Sequence, residues 1–405
     1  MKRMGLSGGA AIAAILVFTA LAGAASVTWT GAAGDNKWSN TGNWSGGALP
    51  TVATPIVFDN AAPTSPTGVL IDVTGAGKGV TITANHDVTF LKGGTTSTWN
   101  QESNNVITVD PVDGLAHTYT IGDGTAANNP GFPQANTGDG FSDAVWTING
   151  TSKLVVNIAM PTNGNSWTKD GTGTLQIGTG GLYNAPFSMQ NVFNIKAGVV
   201  DDQAQYNSYF TAKSTGSTIN IYSGATLLCE SNSVLTNTIT FAGNGKIVMN
   251  TKLDGSGTVK TMASKGAIWT PGTDGTAGML TLLGNTTFSQ NGTTNGMLKI
   301  DITGSGTTAG VDFDQLNTNG TVTGIALACD LVVNASGAVA GNTYKFLTSS
   351  NTLVGQNFHA VTVNNTALPY TLTGTTTGYQ ITFTPEPCTL GLLGIGCLIA
   401  LRRRA

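Results

Sequence analysis

The middle of the chain repeats one pattern, an apolar, a polar and an apolar residue, at Leu175-Gln176-Ile177, Phe193-Asn194-Ile195, Ile219-Asn220-Ile221 and Ile239-Thr240-Phe241. Such alternation is typical of a half-buried β-strand, and the four triplets begin 18, 26 and 20 residues apart. Turns of about 20 residues predict a right-handed parallel β-helix, a solenoid whose coils bury their apolar positions only by stacking on neighbours. Stacking at about 4.8 Å per coil would make a rod on the order of 70 Å long.

The same alternation recurs on both sides of this repeat, for example at Val80-Thr81-Ile82 and Ile247-Val248-Met249. The interior has no convincing helical periodicity of 3.6 residues. We therefore expect an all-β body. Because the spacing of the triplets is irregular, a pair of β-sandwiches is the alternative to the solenoid.

Composition supports this fold class and excludes others. Of 405 residues 55 are Gly and only 10% are charged, so helix-forming Glu, Lys and Arg are scarce. A hydrophobic content of 40% with a net charge of -3 disfavours disorder. No basic stripe exists to neutralise phosphates, so we do not expect nucleic acid as a partner.

The N-terminus has the three parts of a secretory signal peptide. Met1-Lys2-Arg3 precedes an apolar run from Ala10 to Leu21, and the small residues Ala22-Gly23-Ala24-Ala25 follow. A membrane anchor is the alternative, but the run is shorter than the roughly 20 residues of a spanning helix. We expect residues 1–25 to be a helical signal peptide and the chain to be exported.

The C-terminus combines a breaker, a short apolar segment and a basic stop. The breaker is Pro385, Glu386 and Pro387, the apolar segment ends at Leu401, and the basic residues are Arg402, Arg403 and Arg404. This order resembles the PEP-CTERM sorting signal of Gram-negative bacteria that make exopolysaccharide; Cys388 is a departure from its commoner Ala or Ser.

The resemblance implies that residues 385–405 form a transmembrane sorting helix. An exosortase would then be the processing partner, the tail would lie transiently in the inner membrane, and the released protein would reach the cell surface or the extracellular space.

The body contains no arginine between Ser26 and Pro387. Arginine is the usual bidentate clamp for carboxylates and phosphates, so an enzyme that grips an anionic polysaccharide is disfavoured. The candidate acid pairs for glycoside hydrolysis are Asp201 with Asp202 and Asp312 with Asp314. On a strand, residues two apart face the same side and adjacent residues face opposite sides, so Asp312 and Asp314 are the better pair. Calcium binding, turn stabilisation or simple solvation are the alternatives, and we expect no catalytic residue.

Three tryptophans lie near the start of the exported part, at Trp29, Trp38 and Trp44. With the strand Ile56-Val57-Phe58, they resemble the opening of exported β-solenoid proteins with autotransporter-like repeats. Physically, three aromatic side chains could cover the exposed first coil. A platform on which sugars stack is the alternative, which makes these residues the candidate glycan contacts.

A second segment is similar to the C-terminal region of autotransporter passenger repeats. It contains a Pro-Gly turn at Pro271-Gly272, strands such as Leu298–Ile302, the element Asp312–Leu316 and the strand Thr343–Leu347. The resemblance implies a non-enzymatic passenger. We therefore divide the exported part into a solenoid body, residues 26–265, and a passenger-like region, residues 266–384.

Signals for metals and cofactors are weak. His86, His117 and His359 are far apart and have no metal-ligand spacing, so we expect no metal site and no cofactor. The loops 122–124 and 138–143 hold Gly and Asp but lack a full calcium-binding array.

The cysteines leave two alternatives open. Export would permit a disulfide between Cys229 and Cys329, whereas their apolar contexts favour two separate buried thiols. The other two, Cys388 and Cys397, lie in the tail.

Together these features predict an exported, tail-sorted β-solenoid with a structural or adhesin-like role at the cell surface or in the matrix, where exopolysaccharide is a candidate partner. The alternative is an extracellular polysaccharide-active enzyme or glycan-binding module. A groove that gathers two carboxylates and an aromatic platform would favour the alternative.

Overall fold

The computed structural model describes residues 25–77, 79–94, 98–101, 106–123, 144–157, 166–178, 187–189, 192–203, 210–212, 217–229, 239–249, 262–265, 268–272, 275–283, 286–289, 295–318, 322–323, 325–350, 353 and 357–385. The predicted signal peptide up to residue 24 and the sorting signal after Pro385 lie outside these ranges. Within them, no helix has the length and apolar composition needed to cross a bilayer.

The described strands are numbered along the chain, and most belong to two long sheets. The first sheet has thirteen strands in this spatial order: β1 (Val27–Thr28), β2 (Pro55–Phe58), β5 (Gly79–Ile82), β8 (Val106–Val109), β10 (Ala144–Ile148), β12 (Trp167–Asp170), β15 (Val192–Ile195), β18 (Ser217–Ile221), β20 (Ile239–Gly243), β23 (Ile268–Pro271), β26 (Gly296–Asp301), β29 (Cys329–Asn334) and β31 (Ala360–Asn364).

The second sheet also has thirteen described strands, and its strands alternate along the chain with those of the first. Their spatial order is β3 (Val69–Ile71), β6 (Val88–Lys92), β9 (Thr118–Ile121), β11 (Lys153–Val156), β13 (Thr174–Ile177), β16 (Val199–Asp202), β19 (Thr226–Cys229), β21 (Lys246–Met249), β24 (Met279–Leu283), β27 (Gln315–Thr318), β30 (Thr343–Ser349), β33 (Gly378–Phe383) and β32 (Tyr370–Thr375).

Three small parallel sheets lie where the chain returns from the second sheet to the first. They contain β4 (Thr74–Gly77) with β7 (Thr98–Gln101), β14 (Phe187–Met189) with β17 (Phe210–Ala212), and β22 (Met262–Lys265), β25 (Thr286–Ser289) and β28 (Val322–Thr323). The described helices are single turns: the 3₁₀ helices Thr41–Asn43 and Ser45–Gly47 and the α-helix Ile325–Ala328.

The prediction of an all-β fold is confirmed. Every described pair within the first sheet is parallel, and the second sheet becomes antiparallel only at its last hairpin, where β33 pairs with β30 and β32. A β-sandwich pair would be built on antiparallel strands, so the parallel ladders contradict that alternative. Both ladders run from the predicted solenoid body into the passenger-like region without a break at residue 265.

The predicted coil length of about 20 residues is too short for most coils. The register pairs Leu227 with Ile247, a coil of 20 residues, but it pairs Ile107 with Trp146, a coil of 39 residues. The first predicted interval, from Leu175 to Phe193, is not a coil at all, because β13 lies in the second sheet and β15 in the first. A coil includes strands of both sheets and a return segment of variable length, which explains the irregular spacing.

The core lies between the two sheets, and the alternation of each strand decides which residues enter it. In the second sheet one inward column is fully buried and runs through seven strands: Tyr119, Leu154, Leu175, Val200, Leu227, Ile247 and Leu282. Each Leu or Val in such a column contributes about 1.5–3 kcal/mol through burial. Twelve strand spacings of about 4.8 Å make each ladder about 60 Å long.

Candidate functional site

The outer face of the second sheet carries a groove of about 510 Å³ near the N-terminal end of the ladders. The groove runs across strands β6, β9, β11 and β13, so successive coils each contribute side chains to it. Its lining is Ser65, Pro66, Thr89, Leu91, Thr118, Thr120, Asp123, Lys153, Val155, Asn157 and Gln176.

Strand alternation places threonine hydroxyl groups on the floor of the groove. Tyr119 and Ile121 of β9 point into the core, so Thr118 and Thr120 point outward into the groove. The register places Thr120 beside Thr89 of the preceding coil. The floor therefore presents threonine hydroxyls at the spacing of the coils, about 4.8 Å.

A chain of polar side chains continues the floor toward later coils. The Nζ of Lys153 donates to Oε1 of Gln176 at 3.0 Å, and Nε2 of Gln176 donates to Oε1 of Gln203 at 3.2 Å. Nε2 of Gln203 then donates to Oδ2 of Asp201 at 2.7 Å. Because these bonds orient each amide, the groove offers donors and acceptors in a defined order.

Loops on both sides form the walls of the groove. On one side, Oγ1 of Thr89 donates to Oγ of Ser65 at 3.0 Å, and the backbone N–H of Ser65 donates to the carbonyl of Asp87. On the other, Nδ2 of Asn157 donates to the carbonyl of Gly122 at 2.9 Å, beside the exposed Asp123. The walls are thus held by hydrogen bonds to the scaffold.

The described lining contains one carboxylate, Asp123, and one ammonium group, Lys153, and it contains no aromatic ring. Glycoside hydrolases generally place two carboxyl groups about 5–9.5 Å apart. The described lining therefore presents neither the acid pair nor the aromatic platform that the enzyme alternative needs. Its hydroxyl and amide groups suit a neutral, polar ligand.

The acids Asp201 and Asp202 face opposite sides of β16, as alternation predicts. Asp201 lies on the outer face, bonded to Gln203, whereas Asp202 pairs in register with Ile177, a core residue. Both side chains are more than 90% buried. This placement does not bring the two carboxyl groups together on one surface.

The structure places Asp312 and Asp314 in different surroundings. Asp312 lies in a turn before β27, where strand alternation does not apply, and its Oδ2 accepts from the backbone N–H of Thr308 at 2.9 Å. Asp314 is fully buried and accepts from the N–H of Gly278 at 2.8 Å and of Asp301 at 2.9 Å. Both carboxylates hold backbone in place, so they stabilise turns.

The three tryptophans are at most 2% exposed and pack against one another at the first coil. The ring centroids of Trp44 and Trp29 are 4.9 Å apart, those of Trp44 and Trp38 are 4.8 Å apart, and Phe58 lies below. Nε1 of Trp44 donates to the carbonyl of Trp38 at 2.9 Å. No indole face is open for a sugar to stack on, so the packing supports the capping interpretation over glycan contact.

The histidines are separate, and no group of three His, Cys, Asp or Glu among the described residues could hold a metal ion. His86 contacts the carbonyl of Ala62 at 2.9 Å. His117 lies between two carboxylates, at 2.9 Å from Asp113 and 3.9 Å from Asp87, and His359 pairs with Asp330 at 2.8 Å.

The pKa of Asp113 lies below its ordinary value because its carboxylate accepts from the N–H of Leu115 and from His117. These two contacts hold the exposed loop around Asp113 in place.

Cys329 is a free, buried thiol, and its burial raises its pKa. The side chain of Cys229 and the tail cysteines lie outside the described part of the chain, as does the loop 138–143. A buried thiol with a raised pKa is a poor nucleophile, so Cys329 is a core residue.

The structure defines an all-β protein of stacked parallel strands with two long sheets. A search of protein-family models, of curated proteins and of solved structures finds no match to this chain.

Sequence reasoning missed the groove, although alternation carried its signal. Thr118, Thr120 and Lys153 are the outward members of alternating strands, and only the pairing of distant coils brings them together.

Proposed function

We propose that this chain is an exported structural or adhesin-like protein of the cell surface or the extracellular matrix, sorted through its tail by an exosortase. The observation that carries the proposal is the pair of parallel ladders, each about 60 Å long, which form an extended scaffold. A scaffold of this kind serves attachment and spacing without any catalytic group.

The proposal includes a right-handed parallel β-helix with a helix at each terminus. About 98% of crossover connections between parallel strands of one sheet are right-handed, and this chain makes such connections throughout both ladders. The signal-peptide pattern at residues 1–25 and the breaker, apolar segment and arginines at residues 385–405 support export and sorting.

The same groove disfavours an enzyme, because its described lining holds a single carboxylate. We expect purified protein to release no reducing sugar from common polysaccharides. Turnover that disappears in an Asp312→Asn variant would overturn this expectation and favour the enzyme alternative.

The sorting proposal is tested in a host that carries an exosortase. Replacing Pro385, Glu386 and Pro387 by alanine should leave an uncleaved precursor in the membrane fraction, whereas wild type should be processed and released. A matched control replaces Val112 and Leu115, two exposed loop residues, by alanine and should behave like wild type. Normal processing of the tail variant would show that the sorting assignment is wrong.

Glycan binding is a second candidate function, supported by the hydroxyl and amide groups that line the groove. Replacing Gln176 by Leu removes the central amide of the polar chain and should weaken retention of the protein on neutral exopolysaccharide. A Thr108→Val variant on the outer face of the first sheet is the control. Equal retention of both variants and of wild type would exclude binding at this groove.

A further inference from the structure

The groove on the outer face of the second sheet is deep and narrow at its floor. Thr89, Asn157 and Gln176 line the groove, yet each of these polar side chains is at most 8% exposed. Polar side chains on an ordinary solvent-facing sheet are not buried to this degree. The floor is therefore the bottom of a slot that only a narrow part of a ligand can reach.

Polar groups in the middle of the floor keep hydrogen-bonding capacity. Within the described part of the chain, the hydroxyl groups of Thr118 and Thr120 make no hydrogen bond, and Nζ of Lys153 uses one of its three donors, toward Gln176. Lys153 pairs in register with Thr118, so these two residues lie about 4.8 Å apart on neighbouring coils. The slot thus offers two hydroxyl groups and two ammonium N–H groups to a ligand.

The floor repeats along the groove because four successive coils form it. Thr89, Thr120, Val155 and Gln176 occupy one column, and each pairs in register with the next. Three spacings of about 4.8 Å give this column a length of about 14 Å. A ligand that lies along the column therefore meets the same kind of contact at regular intervals.

A straight chain of β-(1→4)-linked glucose units has the shape for such a slot. Each unit advances by about the length of one coil, about 4.8 Å, so successive sugars would meet successive coils. The hydroxyl groups of these units are all equatorial and surround the edge of the ring, which is narrower than its flat face. The described lining has no aromatic ring on which the flat face could stack, and this also favours contact through the edge.

We propose that the groove binds a straight, neutral β-(1→4)-linked glucan edge-on, along the direction of stacking, with one sugar unit per coil. The proposal rests on the second candidate function, glycan binding at this groove, and names its ligand class. Thr118, Thr120 and Lys153 contact the equatorial hydroxyl groups of the central units. The single carboxylate, Asp123, and the single ammonium group of the described lining balance each other, which suits an uncharged sugar.

The length of the ligand tests its orientation. The full chain, in a detergent without a sugar headgroup, is titrated calorimetrically with cello-oligosaccharides of increasing length. Affinity should rise up to four units and change by less than about twofold beyond them, because the four coils of the column are then filled. Malto-oligosaccharides of equal length are the matched probe, and they should bind at least about tenfold more weakly because their α-(1→4) links curve the chain.

Two variants in neighbouring coils test the contacts. Thr120→Val removes a hydroxyl group with little change of shape, and Lys153→Met removes the ammonium group one coil later. Each should weaken binding of the four-unit probe at least about threefold, as expected for the loss of one hydrogen bond. The control is Thr108→Val on the outer face of the first sheet, between Thr81 and Thr147, and it should bind like wild type.

Several results would overturn the proposal. Equal affinity for cello- and malto-oligosaccharides would exclude a straight chain, and full affinity for a single glucose unit would exclude one unit per coil. Wild-type binding by Thr120→Val or by Lys153→Met would place the ligand elsewhere.

The two glycan proposals can also fail separately. If no cello-oligosaccharide binds but Gln176→Leu still weakens retention on exopolysaccharide, the groove binds another glycan and only the ligand class is wrong. If wild type is not retained on exopolysaccharide and binds no cello-oligosaccharide, both glycan binding at the groove and this ligand class are excluded.

Discussion

The ammonium nitrogen of Lys169 lies 2.6 Å from the carbonyl oxygen of Gly173, inside the core between the sheets. Two further carbonyls, of Gly171 at 2.6 Å and of Ala197 at 2.9 Å, complete its donor set. Lys169 follows Trp146 in an inward column of the first sheet. A fully buried lysine thus holds together the turns that follow β12 and β15 in two consecutive coils.

Replacing Lys169 by Met should destabilise the protein. The variant keeps most of the side-chain volume but leaves three carbonyls without the ammonium donor, at a cost of about 3 kcal/mol. Lys153→Met on the outer face is the control and should change the free energy of unfolding by less than about 1 kcal/mol. Denaturant unfolding of both variants checks this, and equal stability would show that the three hydrogen bonds contribute nothing net.

The same lysine should make stability depend on pH. Burial lowers the pKa of Lys169 to about 8, against an opposing effect of Asp170, whereas the unfolded side chain titrates near 10.5. Between these values the unfolded chain holds a proton that the folded chain has released, so raising the pH stabilises the fold, by up to about 3 kcal/mol.

Other buried groups act in the opposite direction. Burial raises the pKa of Cys329 and of Tyr119. The folded chain therefore keeps these protons at a pH where the unfolded chain has released them, so both groups make the fold less stable as the pH rises above about 9. Both groups remain in Lys169→Met, and their effects cancel in the difference between wild type and variant. That difference in unfolding free energy should grow in favour of wild type from pH 8 to pH 10.5. A difference independent of pH in that window would contradict the lowered pKa.

Replacing Trp44 by Ala should weaken the N-terminal cap. Trp44 is the central ring between Trp29 and Trp38, and loss of a buried tryptophan costs about 3–5 kcal/mol. The control is Tyr222→Ala, an aromatic residue that is 44% exposed. Thermal unfolding measures stability, and retention on exopolysaccharide measures binding. A variant with wild-type stability and lost retention would reinstate glycan contact.

Replacing Asp314 by Asn should destabilise the turn before β27 more than the same change at Asp312. The buried Asp314 accepts two backbone N–H groups, and an amide can offer only one oxygen, so the cost is about 2 kcal/mol. Asp312 is half-exposed and its Oδ2 accepts from Thr308, which an amide oxygen can also do. Denaturant midpoints compare the two variants, and a larger effect at Asp312 would contradict the assigned roles.

Alternation along the chain was enough to predict the strands and their inward sides. Residues two apart on a strand share one face, and that face is apolar in the pairs Phe193 with Ile195 and Ile219 with Ile221. Each pair therefore had to lie in a core. The scarcity of charge and of helix formers excluded a helical body for the same local reasons. These inferences hold because the direction of a side chain on a strand depends on the backbone of that strand alone.

Which strand stacks on which was decided only by tertiary structure. Leu175 and Phe193 have the same pattern but lie in different sheets, because each coil contributes one strand to each sheet and alternation does not distinguish the two. The surroundings of Asp312 and Asp314, the burial of the tryptophans, the groove and the carbonyls around Lys169 all depend on that long-range pairing. Alternation specifies a face, whereas a site requires faces from several coils to meet.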